Sequence, residues 1–203
     1  MSNLLLPGLG GYAGRDALLG QWDTHPEVAR ALVKWAGVRR GDRVLESSAG
    51  IGNVVRAASE AGARVVAAEI DPDRALVLRR AAIDGAVVIV GDSLAMTLPE
   101  ADVALINPPY EKDGETRHML RALECAPRVC MIMRLVGLAS ERRAEAWRSV
   151  RLMRVAVLVP RPVFAGSSGM DEVCFVEVRC PGRDHQGTLV EWLDWRAVQG
   201  STP

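Results

Sequence analysis

At 203 residues the chain is long enough for one domain with a substantial buried core, and its 49% hydrophobic and 25% charged content is that of a globular protein. No apolar run approaches membrane-spanning length, and Leu4-Leu5-Leu6 lacks the basic flank and the length of a secretion signal, so a cytoplasmic location is expected. A formal net charge of zero argues against strong non-specific attraction to polyanions, and Cys125, Cys130, Cys174 and Cys180 show no CxxC pairing, which predicts neither a metal site nor a disulfide framework.

Residues 1–23 are irregular and glycine-rich, which predicts a flexible N-terminal segment or lid ahead of a single domain over 24–203. Thr24-His25-Pro26-Glu27 opens a helix: Thr24 and Glu27 stand at capping-box spacing, and Val28, Ala29, Leu32, Val33 and Ala36 form an apolar face. Strand Arg43–Glu46 runs into Glu46-Ser47-Ser48-Ala49-Gly50-Ile51-Gly52, whose glycines let the backbone approach a ligand before helix Asn53–Ala61. Val55 stands where a dinucleotide fingerprint needs its third glycine, which argues against NAD.

Strand Arg64–Glu69 ends at Glu69-Ile70-Asp71. Glu69 is placed to accept hydrogen bonds from ribose hydroxyls, whereas Asp71, before Pro72, reads as the cap of helix Asp73–Ile83. Strand Ala86–Val90 ends at Gly91-Asp92-Ser93, where Asp92 suits either an exocyclic adenine amine or a turn. Strand Val103–Ile106 ends at Asn107-Pro108-Pro109-Tyr110. Two prolines cannot continue a strand, so the chain leaves the sheet stiffly with an amide and an aromatic ring close together. That pairing suits a planar, amine-bearing group, although N-P and P-P are also common turn dipeptides.

Helix Thr116–Cys125, strand Arg128–Leu135 and helix Ser140–Val150 follow, then strands Val155–Val159 and Val173–Val178 joined by the loop Pro160–Glu172. Leu189, Trp192, Leu193 and Trp195 are expected to fold back onto the body. The alternation predicts an α/β, doubly wound, Rossmann-like fold: a seven-stranded, mostly parallel sheet with an antiparallel edge strand. Between Met119 and Met170 nine arginines face three glutamates, and lysine occurs only at 34 and 112. Arginine forks grip phosphates, but a codon bias accounts for them equally well.

Glu46-x-Ser48-Ala49-Gly50-x-Gly52, Glu69, Asp92 and Asn107-Pro108-Pro109-Tyr110 together resemble the class I S-adenosylmethionine-dependent methyltransferases over roughly residues 24–179. The N-P-P-Y form is similar to those that methylate planar nitrogen. The resemblance implies S-adenosyl-L-methionine as cofactor. Gly50 and Gly52, with Ser48 and Ala49, would pass beneath it and Glu46 would lie near its amino-acid part. Glu69, with Ile70, would hold the ribose, and Asp92, with Ser93, the adenine. Thr24 is carried over through a Thr-Pro pair that this chain interrupts with His25, and a capping role already accounts for it. Asn107, Pro108, Pro109 and Tyr110 would form the catalytic corner, with Tyr110, Arg161 and Phe164 on the acceptor.

Within that family the chain looks most like small phage or prophage DNA N6-adenine methyltransferases, an impression that Arg161-Pro162-Val163-Phe164-Ala165-Gly166 supports. No room remains for a target-recognition domain, so a short or relaxed sequence preference is expected, in a monomer or weak dimer acting on nucleic acid, DNA ahead of RNA. The alternatives are an RNA base methyltransferase (adenine N6 or guanine N2), a protein glutamine N5-methyltransferase, and a degenerate fold serving as a scaffold. The intact glycine loop and Asn107 speak against the last.

Overall fold

The computed structural model describes residues 23–110, 113–162, 172–181 and 187–197; Phe164 and residues 1–22 lie outside the described residues. Helix α1 (Pro26–Trp35) starts at His25, whose Nδ1 accepts from the Glu27 N–H at 3.3 Å, with Pro26 at the first helical position. The expected capping box is therefore corrected: the residue before the proline caps, and the Thr24 hydroxyl is used elsewhere.

β1 (Arg43–Glu46), α2 (Asn53–Glu60), β2 (Arg64–Glu69), α3 (Pro72–Arg80), β3 (Ala86–Val90), β4 (Val103–Ile106), α4 (Gly114–Leu123) and β5 (Arg128–Arg134) follow the expected alternation. Asp71 caps α3, accepting from the Asp73 and Arg74 N–H groups at 2.8 and 3.4 Å. The predicted helix Ser140–Val150 is corrected to 3-10 turns at Leu135–Ala139 and Glu141–Arg143 and a short α5 (Ala144–Arg148). Buried Arg143 and the Trp147 indole, which donates to the Gly137 carbonyl at 3.0 Å, draw this stretch into tight turns.

β6 (Arg151–Val159) and β7 (Val173–Arg179) are followed by β8 (Leu189–Asp194), so the sheet has eight strands in the order β3-β2-β1-β4-β5-β7-β6-β8. β1 to β5 are parallel, and β7 runs antiparallel between β5 and β6. The seven-strand expectation changes because the tail pairs parallel with β6, which puts β7 two strands inside that edge. Glu191 accepts from the Trp35 indole at 2.7 Å and ties β8 to α1. Leu189, Val190 and Trp192 stay exposed and only Leu193 of the strand's apolar residues packs on the core, so its apolar pattern does not mark the buried face.

The pleat sends neighbouring residues to opposite faces. Val44, Val103, Leu105 and Phe175 meet α1 and α2 on one side; Leu45, Ile106, Met131 and Val176 meet Met119 of α4 on the other. With both faces covered, the open ground for a ligand lies outside the carboxyl ends of the strands, where the sheet order reverses between β1 and β4.

Candidate functional site

A cavity of about 240 Å³ opens at that switch point. Thr24, Glu46, Ser48, Ala49, Gly50, Gly52, Glu69, Ile70, Asp92, Ser93 and Asn107 all line it, as does Pro109. Short loops after four parallel strands converge there, which is why Thr24 and Asn107, 83 positions apart, share one space.

The β1 loop is shaped by glycine. Gly50 and Gly52 take left-handed backbone conformations, φ 56° and 89°. A Cβ on Gly52 would lie 2.2 Å from Leu78 Cδ1, so the left-handed turn and the close packing on α3 both demand glycine. Gly50 rests on Arg74, a buried α3 residue that is ion-paired with Asp23. The Gly50 N–H donates to Glu69 Oε2 at 2.6 Å and the Asp71 N–H to Glu69 Oε1 at 2.9 Å, so Glu69 clamps two loops together. Each carboxylate oxygen keeps a second lone pair for a ligand.

Glu46 is 1% exposed and its Oε1 accepts from the Ser48 N–H at 3.0 Å and from the Ser48 hydroxyl at 3.3 Å. Burial pushes its carboxyl up from the usual 4.5 to about 8, against the opposing pull of those two bonds. Burial also raises Glu69. His118 of α4, beside Ser93 at 3.5 Å, is lowered by burial to about 4 and stays neutral at physiological pH. The cavity therefore pairs acidic groups that gain from a cation with a neutral imidazole in its lining. Asp92 makes a turn bond, Oδ1 accepting from the Leu94 N–H at 2.9 Å, and still lines the cavity.

At the β4 corner, Asn107 Nδ2 donates to Thr24 Oγ1 at 2.9 Å, and the Tyr110 hydroxyl donates to Asn107 Oδ1 at 2.9 Å. The Asn107 backbone carbonyl accepts from Ser48 Oγ at 3.2 Å, which joins the corner to the glycine loop. Tyr110 is 9% exposed, with the Arg134 guanidinium 5.2 Å from its ring centre. Tyr110, expected on the acceptor, is not among the residues lining the cavity: its ring is buried and its hydroxyl is spent on Asn107. Pro108 is buried and does not line the cavity. Arg161 is also away from it, paired with Glu172 at 2.6 Å.

Asp23, Asn53, Arg74, Arg117 and His118 line the cavity without having been singled out in the sequence. Arg74, Arg117 and His118 lie within helical segments where ordinary surface and core positions look the same, so only the fold reveals them. Among the described residues no cluster of His, Cys, Asp and Glu could hold a metal ion, and no helix is long and apolar enough to cross a membrane.

No protein-family model matches the chain. Over 95 residues it is 38% identical to a Methanothermobacter thermautotrophicus protein assigned as ribosomal RNA small subunit methyltransferase A, covering 46% of this chain and 35% of that one. Over 115 residues it is 30% identical to the dimethyladenosine transferase of Schizosaccharomyces pombe, covering 54% and 37%. The matched stretches thus span little more than a third of these curated relatives. Among solved structures, a candidate RNA methyltransferase from Pyrococcus horikoshii superposes with a TM-score of 0.67 at 19% identity, over 81% of this chain and 88% of that one. A candidate class I S-adenosylmethionine-dependent methyltransferase from Listeria monocytogenes gives 0.65 at 11% identity, over 82% and 62%. The fold is the class I methyltransferase fold.

Proposed function

We propose that the chain is an S-adenosylmethionine-dependent N-methyltransferase acting on the exocyclic amine of adenine in RNA. The observation that carries the reading is that Asn107 and Pro109, from the Asn107-Pro108-Pro109-Tyr110 corner, line the same cavity as Glu46, the glycine loop and Glu69.

The residues present fit the cofactor. A buried acidic group at Glu46 suits a cationic amino-acid moiety, the Glu69 carboxylate suits vicinal hydroxyls, Asp92 suits an aromatic amine, and the Gly50–Gly52 turn lets backbone come close. When bound, S-adenosylmethionine supplies a methyl group activated on a sulfonium. Asn107 does the positioning. An adenine amine is a weak nucleophile because its lone pair is delocalised into the ring; a hydrogen bond donated to Asn107 Oδ1, with another to the Pro108 carbonyl, draws the nitrogen toward tetrahedral geometry. Thr24 and Tyr110 hold the amide in place for this, so catalysis rests on orientation and fixed dipoles. No strong base is required, and His118, lowered by burial to about 4, is only a weak one.

The preference for RNA over the DNA expected from the sequence rests on the ribosomal RNA and dimethyladenosine names of the curated relatives. DNA is the second reading, supported by the N-P-P-Y tetrad and its likeness to phage adenine methyltransferases. Purified protein incubated with labelled S-adenosylmethionine and, separately, RNA, single-stranded DNA, duplex DNA and protein extract separates the readings after digestion to nucleosides or amino acids. Label in N6-methylated adenosine from RNA is the expected result, with kcat reduced about 10²-fold in Asn107→Ala and cofactor affinity nearly unchanged. Label only in DNA or protein would replace the acceptor, and equal loss of turnover and cofactor affinity in the variant would remove the role given to Asn107.

A further inference from the structure

Behind the corner lies a buried charged cluster that the reaction as described does not use. Gly114, at the start of α4, packs so closely on Pro109 that a Cβ there would stand 2.1 Å from the Pro109 carbonyl oxygen. The next residue, Glu115, is fully buried. Its Oε1 accepts from the Arg134 backbone N–H at 3.2 Å, and its Oε2 lies 2.7 Å from Arg143 Nη2 and 3.9 Å from Arg134 Nη2. Burying a carboxylate is costly, and an apolar residue would fill the core at least as well, so the group calls for an explanation beyond stability.

Arg134 supplies one. It is the last residue of β5, neighbour to β4 in the sheet, and its Nη2 donates to the Tyr110 carbonyl at 3.1 Å while its guanidinium lies 5.2 Å from the Tyr110 ring centre. Arg134 therefore grips Tyr110 by backbone and ring together, and Tyr110 in turn holds Asn107 Oδ1.

We infer that Arg134, anchored by Glu115, is a positioning residue for methyl transfer that acts on Asn107 through Tyr110. The inference rests on the methyltransferase reading. Arginine is required over lysine because only a planar fork meets a carbonyl and a ring face together.

Tyrosine occurs only at 12 and 110, so protein labelled with 3-fluorotyrosine carries two fluorine resonances, and Tyr110→Phe assigns them. In Arg134→Ala the Tyr110 resonance is expected to shift, with a smaller shift in Arg134→Lys and none in Arg142→Ala, an exposed control paired with Asp113. The same Arg134→Ala protein is expected to stay folded, with Arg143 still paired to Glu115, and to lose about 10²-fold in kcat with cofactor affinity held, the size of effect a small misplacement of a reacting group produces; Arg134→Lys recovers part of it. An unmoved resonance overturns the inference, as does wild-type turnover in Arg134→Ala or a loss of cofactor affinity equal to the loss of turnover. Wild-type protein that methylates no pool sinks the functional reading instead, while the resonances still report whether Arg134 holds Tyr110.

Discussion

Asn107 Nδ2 donates to Thr24 Oγ1 at 2.9 Å, joining the end of β4 to the residue two places before α1, 83 positions earlier in the chain. Thr24 is 7% exposed and the amide has a donor to satisfy there. Thr24→Val keeps the shape and removes the acceptor. A typical net hydrogen bond contributes about 1 kcal/mol, so kcat should fall about fivefold. Thr24→Ser should stay close to wild type. Steady-state kinetics on both variants checks this; equal rates in Val and Ser would show that the contact does not orient Asn107.

The Glu46 carboxyl carries a pH signature. Its folded value of about 8 lies above the ordinary 4.5, so burial of the neutral form contributes stability that is present below about pH 4.5 and lost as pH rises through about 8. A bound cation favours the ionised form. Affinity for S-adenosylmethionine should therefore tighten between pH 6 and 9, with a proton released on binding at neutral pH. Glu46→Gln should bind weakly and with a flatter profile; the comparison cancels titration of the cofactor's own amino group. Calorimetry in buffers of different ionisation enthalpy reads the released proton directly, and identical profiles for the two proteins would refute the coupling.

Gly52→Ala should be destabilising for two separable reasons. The left-handed backbone costs about 1–2 kcal/mol for a residue with a Cβ, and the new methyl would meet Leu78 Cδ1. A melting temperature lower by several degrees is expected, at about 2–4 °C per kcal/mol for a chain of this size. Truncating Leu78 relieves that clash, so the Gly52→Ala, Leu78→Ala double variant should be more stable than the two single losses sum to. Additive losses would mean that Leu78 is not what Gly52 avoids.

Arg74 carries the glycine loop from below. Arg74→Ala removes its ion pair with Asp23 and the support under Gly50 together. Cofactor affinity should drop, and thermal stability with it, because taking one partner from a largely buried pair leaves the other uncompensated. Equilibrium binding and melting of Arg74→Ala and Asp23→Asn would test this; full affinity in both would place the loop's rigidity elsewhere.

The residues legible in the sequence were those whose chemistry is local. Each strand-end candidate sits where a run of apolar residues meets a turn: Glu46 before the Gly50–Gly52 turn, Glu69 before the cap Asp71, Asn107 before two prolines. Period and turn chemistry are short-range properties, so β1 to β7 along the chain and the strand-end residues Glu46, Glu69, Asp92 and Asn107 that line the cavity could be read without a structure. The tertiary structure alone decided which distant groups serve that cavity. Thr24 reads as a helix cap until β4 brings Asn107 to it. Arg74 and His118 look like ordinary helical residues, Arg134 like the end of a strand, and β8 like an apolar tail with no stated partner, because their partners lie 19 or more residues away and leave no periodic trace. Burial completes the difference: Glu46 and Glu115 are simple carboxylates in the sequence, and only the packed surroundings that strip them of water turn one into a group near pH 8 and the other into an anchor for Arg134.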